Sequence, residues 1–347
     1  MEAGAVSNSN GTPRSPLHRS LAARLPDRGL RWTLGLVAVG VLALLVFFFY
    51  TLYDESRPLL SQVGIFDFVT TNDWNPAKSQ YGAWALVVGT LITSALALLM
   101  GVPVAVAVAI FSVELAPLRV KRPLTVLIEL LAAVPSVVYG LWGVFVLIPR
   151  LKPAEQWFSD TFAFLPFVGG PVAGPNYFIA GLILAIMILP IVSAISREVL
   201  LTVPVELKEG ALALGATRWE MIRMGVLPYS WSGIAGAAML GLGRALGETI
   251  AVVLVIGNAP RIGETIFSQG YTLAAVIANE FGEAADNDLH KAALISCGLV
   301  LFILTLIVNF IARWIVERAE RGRHGGAPAS EPADQQPSLL DAQSGIA

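Results

Sequence analysis

Hydrophobic positions run along this chain in long unbroken stretches, not in the short alternations of a half-buried strand. An apolar helix needs about 20 residues to cross a hydrocarbon layer about 30 Å thick. Six stretches reach that length: 32–53, 83–112, 124–149, 177–196, 232–256 and 292–316. Aromatic residues suited to a membrane–water interface mark their ends, among them Trp32, Tyr50, Tyr53, Trp84, Tyr177, Trp231 and Trp314. The first stretch is too long for a signal-peptide core and has no small-residue cleavage site after it, so it is expected to stay as a span. The pattern predicts an all-α polytopic membrane protein with six transmembrane helices.

The polar segments between the spans set an orientation. Arg14, Arg19, Arg24, Arg28 and Arg31 precede the first span, and Arg119, Lys121 and Arg122 lie between the second and third. Arg197, Lys208, Arg218 and Arg223 lie between the fourth and fifth, and Arg313, Arg318, Arg321 and Arg323 close the chain. The alternate loops are poorer in Lys and Arg, so both termini are expected in the cytoplasm. The expected organisation is a basic cytoplasmic segment at 1–31, a first helix with its outer loop at 32–81, a five-helix core at 82–318, and a disordered tail at 319–347. Residues 17–25 read either as a positive-inside signal or as a short basic helix on the membrane surface, and 1–13 and 323–347 are disordered by composition. The outer loops at 54–82, 150–176 and 257–291 are long enough to be folded. The last carries Glu264, Glu280, Glu283, Asp286 and Asp288, an expected acidic outer face.

Composition narrows the class. Of 347 residues, 55% are hydrophobic and 14% charged, with a mean hydropathy of +0.69. Soluble domains carry about 25% charge, so a soluble globular or disordered chain is excluded. A net charge of −2 gives no footprint for nucleic acid. The single Cys297 forms no internal disulfide, and His18, His290 and His324 are too scattered for a metal site. No Gly-Lys pair occurs, so no P-loop exists, and any ATP-driven step belongs to another polypeptide. Neither a His/Glu metal set nor a Gly-x-Ser-x-Gly turn supports an intramembrane enzyme.

The inner loop between the fourth and fifth spans has helical punctuation. Pro204 sits at a first turn, Glu206 and Glu209 follow, and Gly215 stops the segment. Thr217 and Glu220 form a capping box that opens a second short helix, which Pro228 is expected to end. Two short helices joined at Gly215 make a lever suited to docking a soluble partner. Glu209-Gly210-Ala211, then Gly215, then Leu227-Pro228 resembles the EAA loop of ABC importer permeases at matching spacing. Gly210 stands where Ala is usual and Gly225 where Ile is usual, changes expected to loosen local packing. The resemblance implies that this loop, 204–228, is a coupling helix seated in a cytoplasmic ATPase. ATP and magnesium would bind that partner, and this chain would hold no cofactor.

Three ionisable residues lie well inside spans: Glu129, Arg244 and Glu248. Such groups are costly in hydrocarbon and are functional candidates by default. On a continuous helix, Ala237, Gly241, Arg244, Glu248, Ala251 and Val255 share one stripe, and Gly243 and Gly247 allow another backbone to approach. One reading is a structural Arg244–Glu248 ion pair. The other is a site where the planar Arg244 guanidinium meets a tetrahedral oxyanion and Glu248 accepts a hydrogen bond from a protonated anion, favouring phosphate over sulfate. In the third span, Pro135 interrupts the helix, and broken helices at mid-membrane mark substrate paths. Ser136 and Tyr139 are candidate donors to the anion there, with a plain helix kink as the other reading. Glu129 reads as a gate or structural residue.

Two further segments narrow the resemblance. Pro135-Ser136-Val137-Val138-Tyr139-Gly140 and Gly243-Arg244-Ala245-Leu246-Gly247-Glu248-Thr249 look like the signatures of phosphate-specific ABC importer permeases. Ile277-Ala278-Asn279-Glu280-Phe281 with Leu289-His290 looks like the C-type subunit. The resemblance covers about 30–318. It implies a type I ABC importer permease fold in a bacterial inner membrane, a second permease subunit of A-type, two copies of a cytoplasmic ATPase, and an extracytoplasmic phosphate-binding protein. It also implies that Arg244 and Glu248 act in phosphate translocation. The alternatives are a permease for sulfate or molybdate, and a proton-coupled secondary anion transporter with Glu248 as proton carrier.

Overall fold

The computed structural model describes residues 21–324, with side-chain surroundings from Gly29 to Arg318. The expected disordered stretches at 1–13 and beyond 324, and the start of the 17–25 helix, lie outside these residues. In chain order, α1 is Leu21–Val63, α2 is Ile65–Thr70, and a small antiparallel hairpin pairs β1 (Trp74–Asn75) with β2 (Gln80–Tyr81). Next come α3 (Trp84–Ile110), closed by a π turn at Phe111–Leu115, and α4 (Leu118–Ala133). After a break, α5 (Ser136–Trp142) runs through a π turn at Gly143–Leu147 into α6 (Ile148–Thr161). Then follow α7 (Tyr177–Leu201), α8 (Val205–Ala213) and α9 (Arg218–Met221), which passes through a π turn at Ile222–Val226 into α10 (Leu227–Gly247). The chain finishes with α11 (Ile250–Ile256), α12 (Leu273–Glu280), a 3-10 turn at Glu283–Asp286, and α13 (Asp288–His324), which continues past the expected start of a tail at 319.

Among the described residues, five helices are long and apolar enough to cross a membrane: Gly29–Val63, Trp84–Leu115, Ser136–Thr161, Tyr177–Leu201 and Asp288–Arg318. A sixth span forms from Arg218–Gly247 and Ile250–Ile256, bent by 65°. The chain divides between Asp54 and Glu55 into two compact units. The first carries exposed Leu36, Val39, Leu42 and Phe47 along α1, side chains suited to a lipid surrounding.

In the second unit, α3 and α7 pack face to face through small residues. A Cβ at Gly101 would lie 3.0 Å from the Ala185 carbonyl, and one at Gly181 2.6 Å from Leu96 Cβ. Ala97, Ala105 and Ala180 are fully buried in the same interface, the small-residue packing of helices in lipid. Helix α10 leans on α7 where Gly241 meets Val192, and α13 covers α10 and α12.

The third span is interrupted at Pro135, as the sequence leads one to expect, but other expectations need correction, beginning with its bounds of 124–149. Its helix stops at Ala133, Val134 and Pro135 are extended, and the apolar rod then runs to Thr161. Residues 150–161, expected as outer loop, are helical because their polar groups find partners: Arg150 donates to the Val146 carbonyl, and Glu155, 4% exposed, accepts from Asn176. The fifth span is not straight either, since α10 ends at Gly247 and Glu248 is extended. Finally, Pro228 does not end a short second helix. It lies in the first turn of α10, and the π turn before it carries α9 into α10 as one rod. Proline lacks the N–H of a regular turn, and a π bulge accommodates that loss.

Candidate functional site

Both broken spans contribute to one region. At the first break, Pro135 offers no N–H to the Leu131 carbonyl, its regular helical acceptor. The Tyr139 hydroxyl takes that place, donating to Leu131 O at 2.8 Å across the break. The single phenolic proton is therefore engaged inside the chain, which favours the helix-kink reading of Tyr139 over the anion-donor one. Ser136 begins α5 and is half-buried.

The second break follows Gly247. Glu248 has φ −71 and ψ 129, so it leaves the helical path, and the Thr249 hydroxyl donates to the Gly247 carbonyl at 3.2 Å. This removes the expected stripe: Glu248 is not one turn above Arg244 on a common helical face. Among the described residues no ion pair joins Arg244 and Glu248. Arg244 is exposed in the last turn of α10. There the unpaired carbonyl ends of the helix favour a cation. It is also close enough to Tyr139 to act on it electrostatically. Gly243 and Gly247, expected to admit a second backbone, have nothing of this chain within 4 Å of an added Cβ.

The segments beyond the two breaks pack together. A Cβ at Gly140 would lie 2.6 Å from Leu254 Cδ1 and 3.1 Å from Ala251 Cα, and one at Gly143 2.8 Å from Val255 Cγ1. Glycine is required at this crossing because α5 and α11 touch backbone to backbone. Glu129 is exposed on α4 and borders a cavity of about 20 Å³ shared with Ser112, Thr125, Ser193 and Arg197.

The loop between α7 and α10 forms a second region. Helix α8 ends in a Schellman motif: Gly215, at φ 85, donates to the Leu212 carbonyl and Ala216 to that of Ala211. Only glycine takes that conformation without strain. Thr217 then caps α9, its hydroxyl accepting from the Glu220 amide while the Glu220 carboxylate accepts from the Thr217 amide at 2.8 Å. Glu209 and Gly210 are exposed, Ala211 and Leu227 are half-buried against Met221, Ile222 and Val226, and Pro228 is exposed. Gly225 is not a loose spot, because Leu207 fills it, its Cδ2 lying 2.7 Å from an added Cβ. Leu214, Trp219 and Met224 remain exposed on the outer surface of this lever.

Sequence reasoning missed two linkages. Lys208 Nζ on α8 meets Glu114 Oε1 at the end of α3 at 2.6 Å. At the end of the molecule that carries the hairpin, Glu280 turns inward rather than joining an acidic outer face. It accepts from Trp74 Nε1 at 3.0 Å and from the Tyr271 hydroxyl at 3.3 Å, and lies 3.1 Å from His290 Nε2. Burial, and next the Glu280 charge, raise the Tyr81 hydroxyl pKa, while burial dominates the rise at Tyr271. Single charges spaced far apart in sequence carry no signal of such pairing.

A polytopic helical fold with two broken spans and a two-helix lever is the architecture of an integral-membrane protein with a docking segment on one side. Residues 101–321 match the family described as "Binding-protein-dependent transport system inner membrane component". The chain is 45% identical to the phosphate transport system permease protein PstC of Pasteurella multocida over 84% of its own length and 92% of that protein. It is 45% identical to PstC 2 of Mycobacterium tuberculosis over 72% of its length and 79% of the relative. Among solved structures, it resembles a chain of a bacterial alginate ABC transporter in complex with an alginate-bound periplasmic protein, with a TM-score of 0.53 and 19% identity over 84% of this chain and 98% of that one. The chain belongs to the inner-membrane permeases of binding-protein-dependent transport systems, in the branch of the phosphate transport permeases. It is a multi-pass, non-catalytic subunit of a transporter that also comprises an ATPase and a binding protein.

Proposed function

We propose that this chain carries inorganic phosphate across the inner membrane, with Arg244 as the transient counter-charge. Its phosphate-permease relatives support the substrate. The observation that carries the role of Arg244 is its exposed guanidinium, without an ion-pair partner among the described residues, at the break of α10 and in electrostatic reach of α5. A planar fork of donors matches a tetrahedral oxyanion. Affinity there stays modest, because the resting Arg244 is already favoured by the carbonyl end of α10. Glu248 and Ser136 flank the path from the two breaks, Glu248 accepting a hydrogen bond from the O–H that hydrogen phosphate carries and sulfate lacks. Tyr139 and Pro135 act through the shape of the break, and Glu129 lines the way to the inner face.

In this reading the termini and 204–228 face the cytoplasm. Glu209, Gly210, Ala211, Gly215, Leu227 and Pro228 build the surface on which the ATPase acts, two ATPase copies serving this chain and an A-type permease. The open face at Gly243 and Gly247 suits the close approach of that second permease. A phosphate-binding protein delivers cargo to the opposite side. The organisation is then a first helix appended to a five-helix core beginning near 82.

Complementation of a deletion strain on limiting phosphate tests the substrate. Growth restored by the wild-type chain and lost with Arg244→Gln supports the proposal. Restoration on limiting sulfate or molybdate instead assigns another oxyanion. Uptake that persists without the ATPase and collapses with an uncoupler assigns proton coupling.

A further inference from the structure

Among the described residues, helix α8 makes one charged contact with the spans, and it goes to the end of α3 rather than to either broken helix. Lys208 Nζ reaches Glu114 Oε1 at 2.6 Å, with side chains 19% and 10% exposed. A short, partly buried ammonium–carboxylate bond is a stiff connection. Glu114 lies in the π turn that closes α3, two residues before the extended Ala116-Pro117 corner from which α4 starts. Helix α4 then runs directly to the break at Pro135, where Tyr139 holds Leu131. On the other side, Leu207 is seated on Gly225 of the α9–α10 rod, which runs without interruption to Arg244 and the break at Glu248. Adjacent residues of α8 therefore grip the two elements that lead to the two breaks, Leu207 by packing and Lys208 by charge.

We propose that the Lys208–Glu114 pair is a strut that transmits displacement of α8 to the α3–α4 corner, so that both broken spans move in step with the ATPase. The inference rests on 204–228 being the surface on which the ATPase acts. Without the strut, motion of α8 drives α10 through Leu207 and Gly225 but leaves α4 behind, and ATP is hydrolysed with less transport.

The test uses the complete transporter, both permease subunits, ATPase and binding protein, reconstituted in liposomes. Phosphate moved per ATP hydrolysed is measured for Lys208→Gln, Glu114→Gln and the exchange Lys208→Glu with Glu114→Lys, each normalised to assembled complex. Single neutralisations should lower the ratio about five-fold, the scale of one partly buried ion pair acting on a two-state equilibrium. The exchange should restore most of it. A ratio within twofold of wild type in Lys208→Gln and Glu114→Gln would overturn the strut. So would an exchange variant that assembles normally yet stays as uncoupled as the single variants. Gly210→Trp, a bulky group placed on the exposed face of α8, separates the two layers of the argument. Loss of ATPase co-purification in that variant upholds the docking surface, and unchanged co-purification removes it, whatever the strut variants do.

Discussion

A single methyl group at Gly140 probes the seam on which the two broken spans meet. The new Cβ would lie 2.6 Å from Leu254 Cδ1, 3.1 Å from Ala251 Cα and 3.3 Å from Ala251 O. Carbon–carbon contacts are most favourable at about 3.5–4.0 Å. The tip of Leu254 can rotate away, but Ala251 is fully buried helical backbone and has no rotamer to yield. Helices α5 and α11 must then part by about 0.5 Å to reach van der Waals distance. Overpacking of this kind costs about 1–3 kcal/mol. Alanine recovers about 0.5–1 kcal/mol of helix propensity over glycine, leaving a net loss centred on about 1 kcal/mol and reaching at most about 2.5 kcal/mol. For the purified chain in detergent, a Tm lower by about 1–3 °C is expected. Gly243→Ala is the internal control, a helical glycine with nothing within 4 Å of the added Cβ, and it should leave Tm unchanged or slightly raised. A Gly140→Ala chain as stable as Gly243→Ala would refute the close α5–α11 crossing.

Two other perturbations test the lever. Thr217→Ala removes the hydroxyl half of the capping box and leaves the Thr217 backbone N–H to donate to Glu220; the loss of about 1 kcal/mol should speed amide exchange across 218–221 about five-fold without altering the spans, as read by hydrogen-exchange mass spectrometry. Gly225→Ile restores the residue usual at that motif position but collides with Leu207. It should lower ATP-driven uptake, and adding Leu207→Ala should recover much of it; undiminished uptake in Gly225→Ile alone would show that this packing is dispensable.

The long apolar runs made the spans legible, since lipid demands about 20 apolar helical residues wherever a chain crosses. The Gly215 stop and the Thr217–Glu220 box were legible because capping depends on residues a few positions apart. Breaks were harder. Pro135 announced the first one, but Tyr139 closing onto Leu131 needed three dimensions, and so the sequence left its hydroxyl between an anion donor and the packing of a kink. Gly247-Glu248-Thr249 carries no proline, so an unbroken helix was the default, and the Arg244–Glu248 stripe followed from that default. Residues 150–161 fell past the third apolar stretch and were read as outer loop, although the Val146 carbonyl and Asn176 satisfy Arg150 and Glu155 inside a helical frame. Lys208 and Glu114 lie 94 residues apart, beyond any local pattern.

The most direct measurement of the central claim is ATP-dependent uptake of labelled phosphate into liposomes bearing the complete transporter, comparing wild type with Arg244→Gln at equal assembly. Glutamine keeps a hydrogen-bonding planar end on a shorter side chain while deleting its charge. The account predicts that uptake by the variant falls to background while the subunits still co-purify. Uptake at the wild-type rate from Arg244→Gln complexes would contradict it.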